Sequence, residues 1–169
     1  MTSNVVVISI AEQMLRSLLS VKRIEAVNFF NKTLNDLASE HILSIDQSWD
    51  AIVRCLGNGS LRIKRNRPTV CVVYGDNIAF LPVPNVALGS LDINRVAELS
   101  SALDRICQRE FEEKYWMLKR TFLGIDVSSY CGPITREDLE FTLEHFLSLV
   151  AFFRRSAEQG RAIATLRTG

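Results

Sequence analysis

Asp46, Trp49 and Asp50 are the most promising grouping of polar and aromatic side chains in the sequence. We predict a helix over 47–56 that follows Asp46, because Asp is a favoured N-cap residue and Gly57 is a typical helix end. An indole beside carboxylates can bind a small polar ligand through ring contacts and hydrogen bonds. The alternative is structural, with Asp46 as the cap, Asp50 exposed and Trp49 in the core. Both interpretations stay open from the sequence alone.

Residues that bind metals or act as nucleophiles do not occur at diagnostic spacings. His41 and His145 lie far apart in the sequence and outside any zinc-binding or hydrolase motif. The four cysteines are spread through the chain without a C-x-x-C pair. The sequence has no Walker loop and no glycine motif of the dinucleotide-binding type. We therefore predict no metal and no cofactor, and we consider enzymatic activity uncertain and less favoured than binding.

The composition is that of an ordinary globular domain. The chain has 169 residues, of which 47% are apolar and 23% charged, which is enough to bury a substantial core. Twenty basic and nineteen acidic side chains give a net charge of +1, so no global field attracts a polyanion and we predict no nucleic-acid partner. The apolar runs are too short for a signal segment or a membrane span. We predict a single cytoplasmic domain over residues 1–169, without membrane contact.

Periodicity and turn residues predict the elements that must position these side chains. They are strands or extended segments at 5–8, 41–45 and 162–166, helices at 9–20, 24–39, 47–56, 92–106, 108–116 and 135–159, a hairpin at 69–80, and loops at 81–89 and 118–133, the second with a short strand at 121–125. Ser9 with Glu12, and Thr135 with Asp138, are predicted capping boxes. The fold class is α+β, with amphipathic helices packed on a small mixed or antiparallel sheet that contains a central hairpin.

Two sets of side chains are candidates for contact with another protein. The first is acidic and lies on the long helix, at Glu137, Glu140 and Glu144; the second is aromatic and flanks the 118–133 loop, at Tyr115, Trp116 and Tyr130. Acidic surfaces can steer and bind a basic partner, and Tyr and Trp supply large amphipathic contact area. The alternative for the glutamates is a solvated helix face. Basic residues at 62–67 favour a protected sheet edge or, alternatively, an anion contact.

Three segments together carry a family resemblance. They are SIDQSWDAIVRCLGNG at 44–59, SLDINRVAELSSALDRICQREFEEKY at 90–115, and EDLEFTLEHFLSLVAFFRRSAEQGRAI at 137–163. In this combination the chain resembles the YfbM-like family of small bacterial proteins of unknown function, and the most specific positions are Asp46, Trp49, Phe146, Phe153 and Gly160. The chain departs from the family after Trp49, where Asp50, Ala51 and Ile52 stand in place of the usual His and Gly. The resemblance implies an α+β cytoplasmic bacterial domain and no established reaction.

These observations lead to a functional hypothesis with alternatives. We predict a non-enzymatic protein-binding module, an immunity or antitoxin-like protein that binds and blocks a cognate bacterial effector, such as a toxin encoded by a neighbouring gene. The alternative is a small-molecule-binding protein or an enzyme with a pocket near Trp49. A structural component completed by a second copy is a third hypothesis, and the sequence leaves the oligomeric state open.

Overall fold

A five-stranded antiparallel sheet organises the residues that the structure describes, which in this computed structural model are 4–45, 48–57, 68–76, 78–80, 86–121 and 135–168. The strands are β1 Asn4–Ile10, β2 Ile42–Ile45, β3 Ala79–Phe80, β4 Val86–Leu91 and β5 Ala162–Thr168. Their order across the sheet is β2-β1-β5-β4-β3. Strand β5 is therefore central, where it pairs with β1 on one side and β4 on the other.

Helices cover both faces of this sheet. They are α1 Glu12–Ser20, α2 Arg23–Asp36, α3 Ser48–Leu56, α4 Cys71–Tyr74, α5 Ile93–Leu103, α6 Gln108–Thr121 and α7 Arg136–Glu158. Short 3-10 turns precede β2 at Ser39–His41 and α4 at Pro68–Val70. The predicted α+β class and an antiparallel sheet are thus confirmed.

The sheet separates two cores, because successive side chains of a strand point to opposite faces. On one face, Ile8 and Leu166 pack with Phe30 and other residues of α1 and α2. On the opposite face, Val7 and Ile163 pack with residues of α3 to α7. Strand β5 contacts both cores, which explains why its first five residues are all buried. Every second residue of β5, starting from Ile163, consequently faces α3 to α7.

Local capping accounts for two helix starts that the sequence predicts correctly. The Asp92 side chain accepts a hydrogen bond from the Arg95 backbone N–H at 2.8 Å, at the start of α5. Thr135 and Asp138 form the predicted capping box at the start of α7. Such caps satisfy backbone N–H groups that have no partner within the helix. Gly160 follows α7 with φ of 59°, a conformation that glycine adopts without strain.

The hairpin predicted at 69–80 is wrong in its first arm. Cys71–Tyr74 forms α4, a single helical turn, although its two valines are typical of strands. The first three residues of α4 are fully buried in the same core as α3, and such packing can override intrinsic preference in a short segment. A hairpin-like pair does exist, but it lies further along the chain, where β3 pairs antiparallel with β4.

Three other predicted boundaries also need correction. Ser9 lies in β1 and does not cap α1, because its buried hydroxyl contacts the Ser156 hydroxyl at 2.9 Å; α1 follows Ala11 without a side-chain cap. Residues 86–89, predicted as loop because of the prolines before them, belong to β4. Helix α6 continues to Thr121, so no strand begins there. The remainder of the 118–133 loop and the basic residues at 62–67 lie outside the described residues.

Candidate functional site

Helix α3 places a buried ion pair next to the indole that the sequence singles out. All nine residues of α3 are buried, and Asp50 and Arg54 are one helical turn apart, so that their side chains lie on the same face. Arg54 Nε donates to Asp50 Oδ2 at 2.9 Å, with side-chain exposures of 7% and 3%. Trp49 is also buried. The structural alternative with an exposed Asp50 is therefore wrong, since this carboxylate is desolvated.

Two residues from distant parts of the chain complete an aromatic and cationic stack against Trp49. The Tyr74 ring meets the Trp49 ring edge-on, with centroids 5.9 Å apart and an interplanar angle of 78°. Arg167 of β5 places its guanidinium carbon 5.6 Å from the Trp49 ring centroid and 5.5 Å from that of Tyr74. Both distances are within the range of cation–π attraction. The α3 cluster is the name used here for Ser48, Trp49, Asp50, Arg54, Tyr74 and Arg167.

Close backbone packing positions Tyr74 at the end of α4. A Cβ atom on Gly89 of β4 would lie 1.9 Å from the Tyr74 carbonyl oxygen, so only glycine permits this approach. Gly75 has φ of 73°, and a Cβ there would lie 2.3 Å from the Ser90 backbone nitrogen. The following turn is held by a hydrogen bond from the Asp76 N–H to the Ser90 carbonyl oxygen, at 3.0 Å. The Tyr74 backbone thus packs directly against β4, and the turn that follows is bonded to the same strand.

Three polar atoms of the α3 cluster are buried without a hydrogen-bond partner. They are Ser48 Oγ, Asp50 Oδ1 and Arg167 Nε. Buried polar atoms are nearly always hydrogen-bonded, and leaving one unsatisfied costs about 1–3 kcal/mol, more for a charged group. In addition, none of the ion pairs among the described residues includes Arg167. The cluster therefore offers two oxygen acceptors and one cationic N–H donor that the folded chain does not use.

The electrostatics of the cluster follow from burial and from its two arginines. Burial raises the pKa of Asp50, and the hydrogen bond and charge of Arg54 oppose this shift. Burial also raises the pKa of Tyr74 to about 12, with the nearby Asp50 charge adding to the shift and Arg167 opposing it. Tyr74 is consequently a neutral phenol at physiological pH. The guanidinium of Arg167 lies over the Tyr74 ring.

The two predicted protein-contact sets behave differently in the structure. Glu137, Glu140 and Glu144 are all exposed on α7, and Glu140 pairs with Arg136 across one helical turn at 3.1 Å. On the same helix, Phe141 and Leu147 are 45% and 47% exposed. The α7 face is the name used here for Glu137, Glu140, Phe141, Glu144 and Leu147. It combines charge with apolar surface.

The aromatic set is not a single surface. Trp116 is 42% exposed, but Tyr115 is fully buried, because adjacent residues of a helix point in different directions and Tyr115 lies on the core side of α6. The prediction of a direct partner contact by Tyr115 is therefore wrong for this conformation. Tyr130 and Asp46 lie outside the described residues.

Sequence reasoning missed four members of the α3 cluster, which are Ser48, Arg54, Tyr74 and Arg167. Arg54 could have been found from its position four residues after Asp50, which is the spacing of a helical ion pair. Arg167 could have been suspected because a charge on the core side of a strand is unusual, and it shares a face with Ile163 and Thr165. Tyr74 carried no usable signal, since its segment reads as a strand.

Other chemistry is limited in the part of the chain that the structure describes. There, no three His, Cys, Asp or Glu side chains come together as a metal site. Burial raises the pKa of the Cys55 thiol to about 12 and that of Cys71 to about 11, so neither is a thiolate nucleophile near neutral pH. Within the same ranges, no helix has the length and apolar character needed to cross a bilayer.

The fold and site define a class of protein: an α+β domain whose antiparallel sheet, covered by helices on both faces, carries a buried polar and aromatic cluster. The chain belongs to the family described as "Domain of unknown function (DUF1877)", whose model matches residues 1–166. It is similar to the crystal structure of a protein of unknown function, YfbM from Escherichia coli, with a TM-score of 0.70 over 99% of this chain and 100% of that one. At 19% identity, this likeness shows the fold. The resemblance predicted from the sequence is confirmed. No curated protein matches the sequence.

Proposed function

We propose that this protein binds a small polar molecule at the α3 cluster. The observation that carries the proposal is the set of three buried polar atoms without partners, Ser48 Oγ, Asp50 Oδ1 and Arg167 Nε. A ligand that hydrogen-bonds with them recovers the free energy that the folded chain loses by burying them. Binding sites commonly combine aromatic walls with a few polar groups of this kind.

The same atoms are difficult to explain as a device for stability alone. The Asp50–Arg54 pair can be purely structural, but Arg167 is a second cation in the cluster, half-buried with its Nε atom fully buried, and the ion pairs of the described residues leave it without a carboxylate. A buried donor without a partner costs stability, and the unpartnered Nε therefore supports a use of Arg167 beyond packing. The raised pKa values of Cys55 and Cys71 favour binding over nucleophilic catalysis.

An unbiased search for the ligand tests this proposal. The purified protein is incubated with a small-molecule extract of the producing cells, re-isolated and weighed by native mass spectrometry. We expect a discrete mass increment that is reduced in Asp50→Asn and kept in Glu25→Gln. Glu25 is a suitable control because it is exposed on α2, on the opposite face of the sheet. A protein that stays at its unliganded mass in every extract would exclude the function.

The α7 face supports a second candidate function, which is the leading prediction from the sequence. In this proposal the protein is an immunity-like module in the cytoplasm that binds and blocks a basic effector protein. The specific observation is that Phe141 and Leu147 are nearly half exposed among glutamates. An apolar centre with a charged rim is the usual arrangement of a protein interface, and the acidic rim complements a basic active site. Trp116, exposed on α6, is a further candidate contact.

A pull-down with matched charge reversals tests the second function. The tagged protein captures its partner from host lysate at moderate salt, and products of neighbouring genes are examined first by mass spectrometry. We expect Glu140→Lys with Glu144→Lys to abolish capture of the effector, whereas Glu25→Lys leaves it unchanged. Capture that survives the double reversal with the same salt dependence would rule out the α7 face as the interface.

A further inference from the structure

We infer that the ligand of the α3 cluster is a small organic carboxylate that also carries an N–H or O–H donor, such as an amino acid or a hydroxy acid. This inference rests on the proposed ligand-binding function and names the chemistry of its ligand. It follows from the charge of the cluster, from the types of its unpartnered atoms and from the position of its aromatic rings.

The charge of the described cluster residues favours an anion. Asp50 and Arg54 neutralise each other as a pair, and Tyr74 is neutral because its pKa is raised to about 12. Arg167, which is half-buried, therefore leaves one positive charge in the cluster without a countercharge. A carboxylate brings one negative charge and balances it. A phosphate monoester at neutral pH brings nearly two, which would leave an excess negative charge in a cluster that already holds the buried Asp50 carboxylate.

The geometry of the guanidinium supports the same ligand group. The edge of a guanidinium formed by Nε and one terminal nitrogen matches the two oxygens of a carboxylate. Arg167 Nε is free of hydrogen bonds, so this edge has an unused donor. Lysine has no equivalent of this edge, which makes the arginine specific for planar oxyanions rather than only for negative charge.

The unpartnered oxygens require a donor elsewhere on the same ligand. Asp50 Oδ2 already accepts from Arg54, whereas Oδ1 accepts from no group. A second anionic group placed against Asp50 would be repelled, but an ammonium, amide or hydroxyl hydrogen would pair with Oδ1. Ser48 Oγ is also buried without a partner, and a hydroxyl can both accept and donate a hydrogen bond.

The aromatic rings of the cluster favour an aliphatic ligand over an aromatic one. The guanidinium of Arg167 lies over the rings of both Trp49 and Tyr74, and the two rings also contact each other. These surfaces are therefore already in use within the protein. The site consequently recognises polar groups, and a small aliphatic acid fits its chemistry better than a nucleobase or another stacking ring.

Fluorescence of Trp49 provides a direct test. Trp116→Phe removes the only other tryptophan, so that the emission reports the cluster alone. The probes are the common amino acids, lactate and malate, each compared with its methyl ester, and inorganic phosphate. We expect at least one acid to change the emission with saturation and its ester, which lacks the charge, to bind about tenfold or more weakly.

Two variants assign the binding to the inferred atoms. We expect Arg167→Lys, which keeps the charge but loses the Nε edge, to weaken the active acid about tenfold or more. The same substitution at the exposed Arg109 of α6 should have no effect. Circular dichroism establishes that each variant is folded, and the comparison of acid with ester requires no variant at Arg167.

The outcomes separate this inference from the function on which it rests. Binding of phosphate alone, equal binding of acid and ester, or unchanged affinity in Arg167→Lys would each overturn the carboxylate inference. A ligand without a carboxylate recovered from the cell extract would also overturn it, while leaving the proposed ligand-binding function intact. If no molecule of the extract and none of the probes binds the cluster, both the carboxylate inference and the proposed ligand-binding function are wrong.

Discussion

Gly89→Ala is the substitution that the structure predicts most sharply. The added Cβ would lie 1.9 Å from the Tyr74 carbonyl oxygen and 2.5 Å from Thr165 Oγ1. The first of these neighbours is backbone and cannot rotate away, so α4 or β4 must move. Overpacking of this kind costs about 1–3 kcal/mol, and we expect the upper half of that range because the obstacle is a carbonyl group. Gly89 is therefore required for space rather than for an unusual backbone angle.

Gly160→Ala supplies the matched comparison. A Cβ at Gly160 meets no atom within 4 Å, but φ is +59°, so its cost is the strain of the left-handed conformation alone, about 1 kcal/mol. For a chain of this length each kcal/mol lowers Tm by about 2–4 °C. We therefore expect losses of about 4–12 °C for Gly89→Ala and about 2–4 °C for Gly160→Ala, measured by circular dichroism on thermal unfolding.

The two substitutions also differ in their effect on the α3 cluster. Because the Tyr74 ring contacts the Trp49 ring, displacement of Tyr74 by Gly89→Ala should change the emission of Trp49 in the Trp116→Phe background. Gly160→Ala should leave that emission unchanged. The reasoning is refuted if Gly89→Ala is within about 0.5 kcal/mol of the parent protein, the usual range of a neutral surface substitution, or if its emission is unaltered.

Other substitutions and reagents probe the titrating groups, the cap and the thiols. Because burial raises the pKa of Tyr74 from 10.0 to about 12, the unfolded chain loses this proton first, and stability declines as the pH rises between those values. Tyr74→Phe should flatten that decline in urea unfolding, and an unchanged slope would contradict the assignment. Thr135→Ala should lower the free energy of unfolding by about 1 kcal/mol because it removes the capping box of α7, whereas Thr135→Ser keeps the box. Equal losses of stability for the two variants in denaturant unfolding would argue against the cap. Exposed Cys107 should react with a thiol reagent at least tenfold faster than Cys55 and Cys71, because these two are buried and have pKa values of about 12 and 11. Peptide mass mapping measures the three rates. Similar rates would show that the core opens readily and would contradict the prediction.

Elements with strong local signals could be predicted from the sequence. The repeat of apolar residues in α7 and its capping box define that helix without tertiary information. Asp92 and the strand at 162–166 are similar cases. These signals succeed because the interactions that stabilise the elements lie within a few residues of each other.

Elements decided by tertiary packing could not be predicted. The valines of α4 favour a strand locally, and only their burial beside α3 makes the helix preferable. Ser9 has the spacing of a cap, but its partners Ser156 and Arg161 lie far away in the sequence. The site follows the same rule: Trp49 and Asp50 were identifiable on one helix, whereas Tyr74 and Arg167 join them only through the sheet.

The central position of β5 has a consequence for the synthesis of this protein. A ribosome that has made the first 160 residues holds a chain with β1 and β4 but without the strand that lies between them. Until β5 is made, those two edges stay unpaired and are open to wrong pairing with other chains. Arg167 is carried by the same strand, so the α3 cluster gains its second arginine only when β5 joins the sheet. A ligand that requires Arg167 therefore binds only a sheet that contains β5, and its binding free energy favours that sheet over states of the chain in which β5 is not yet paired.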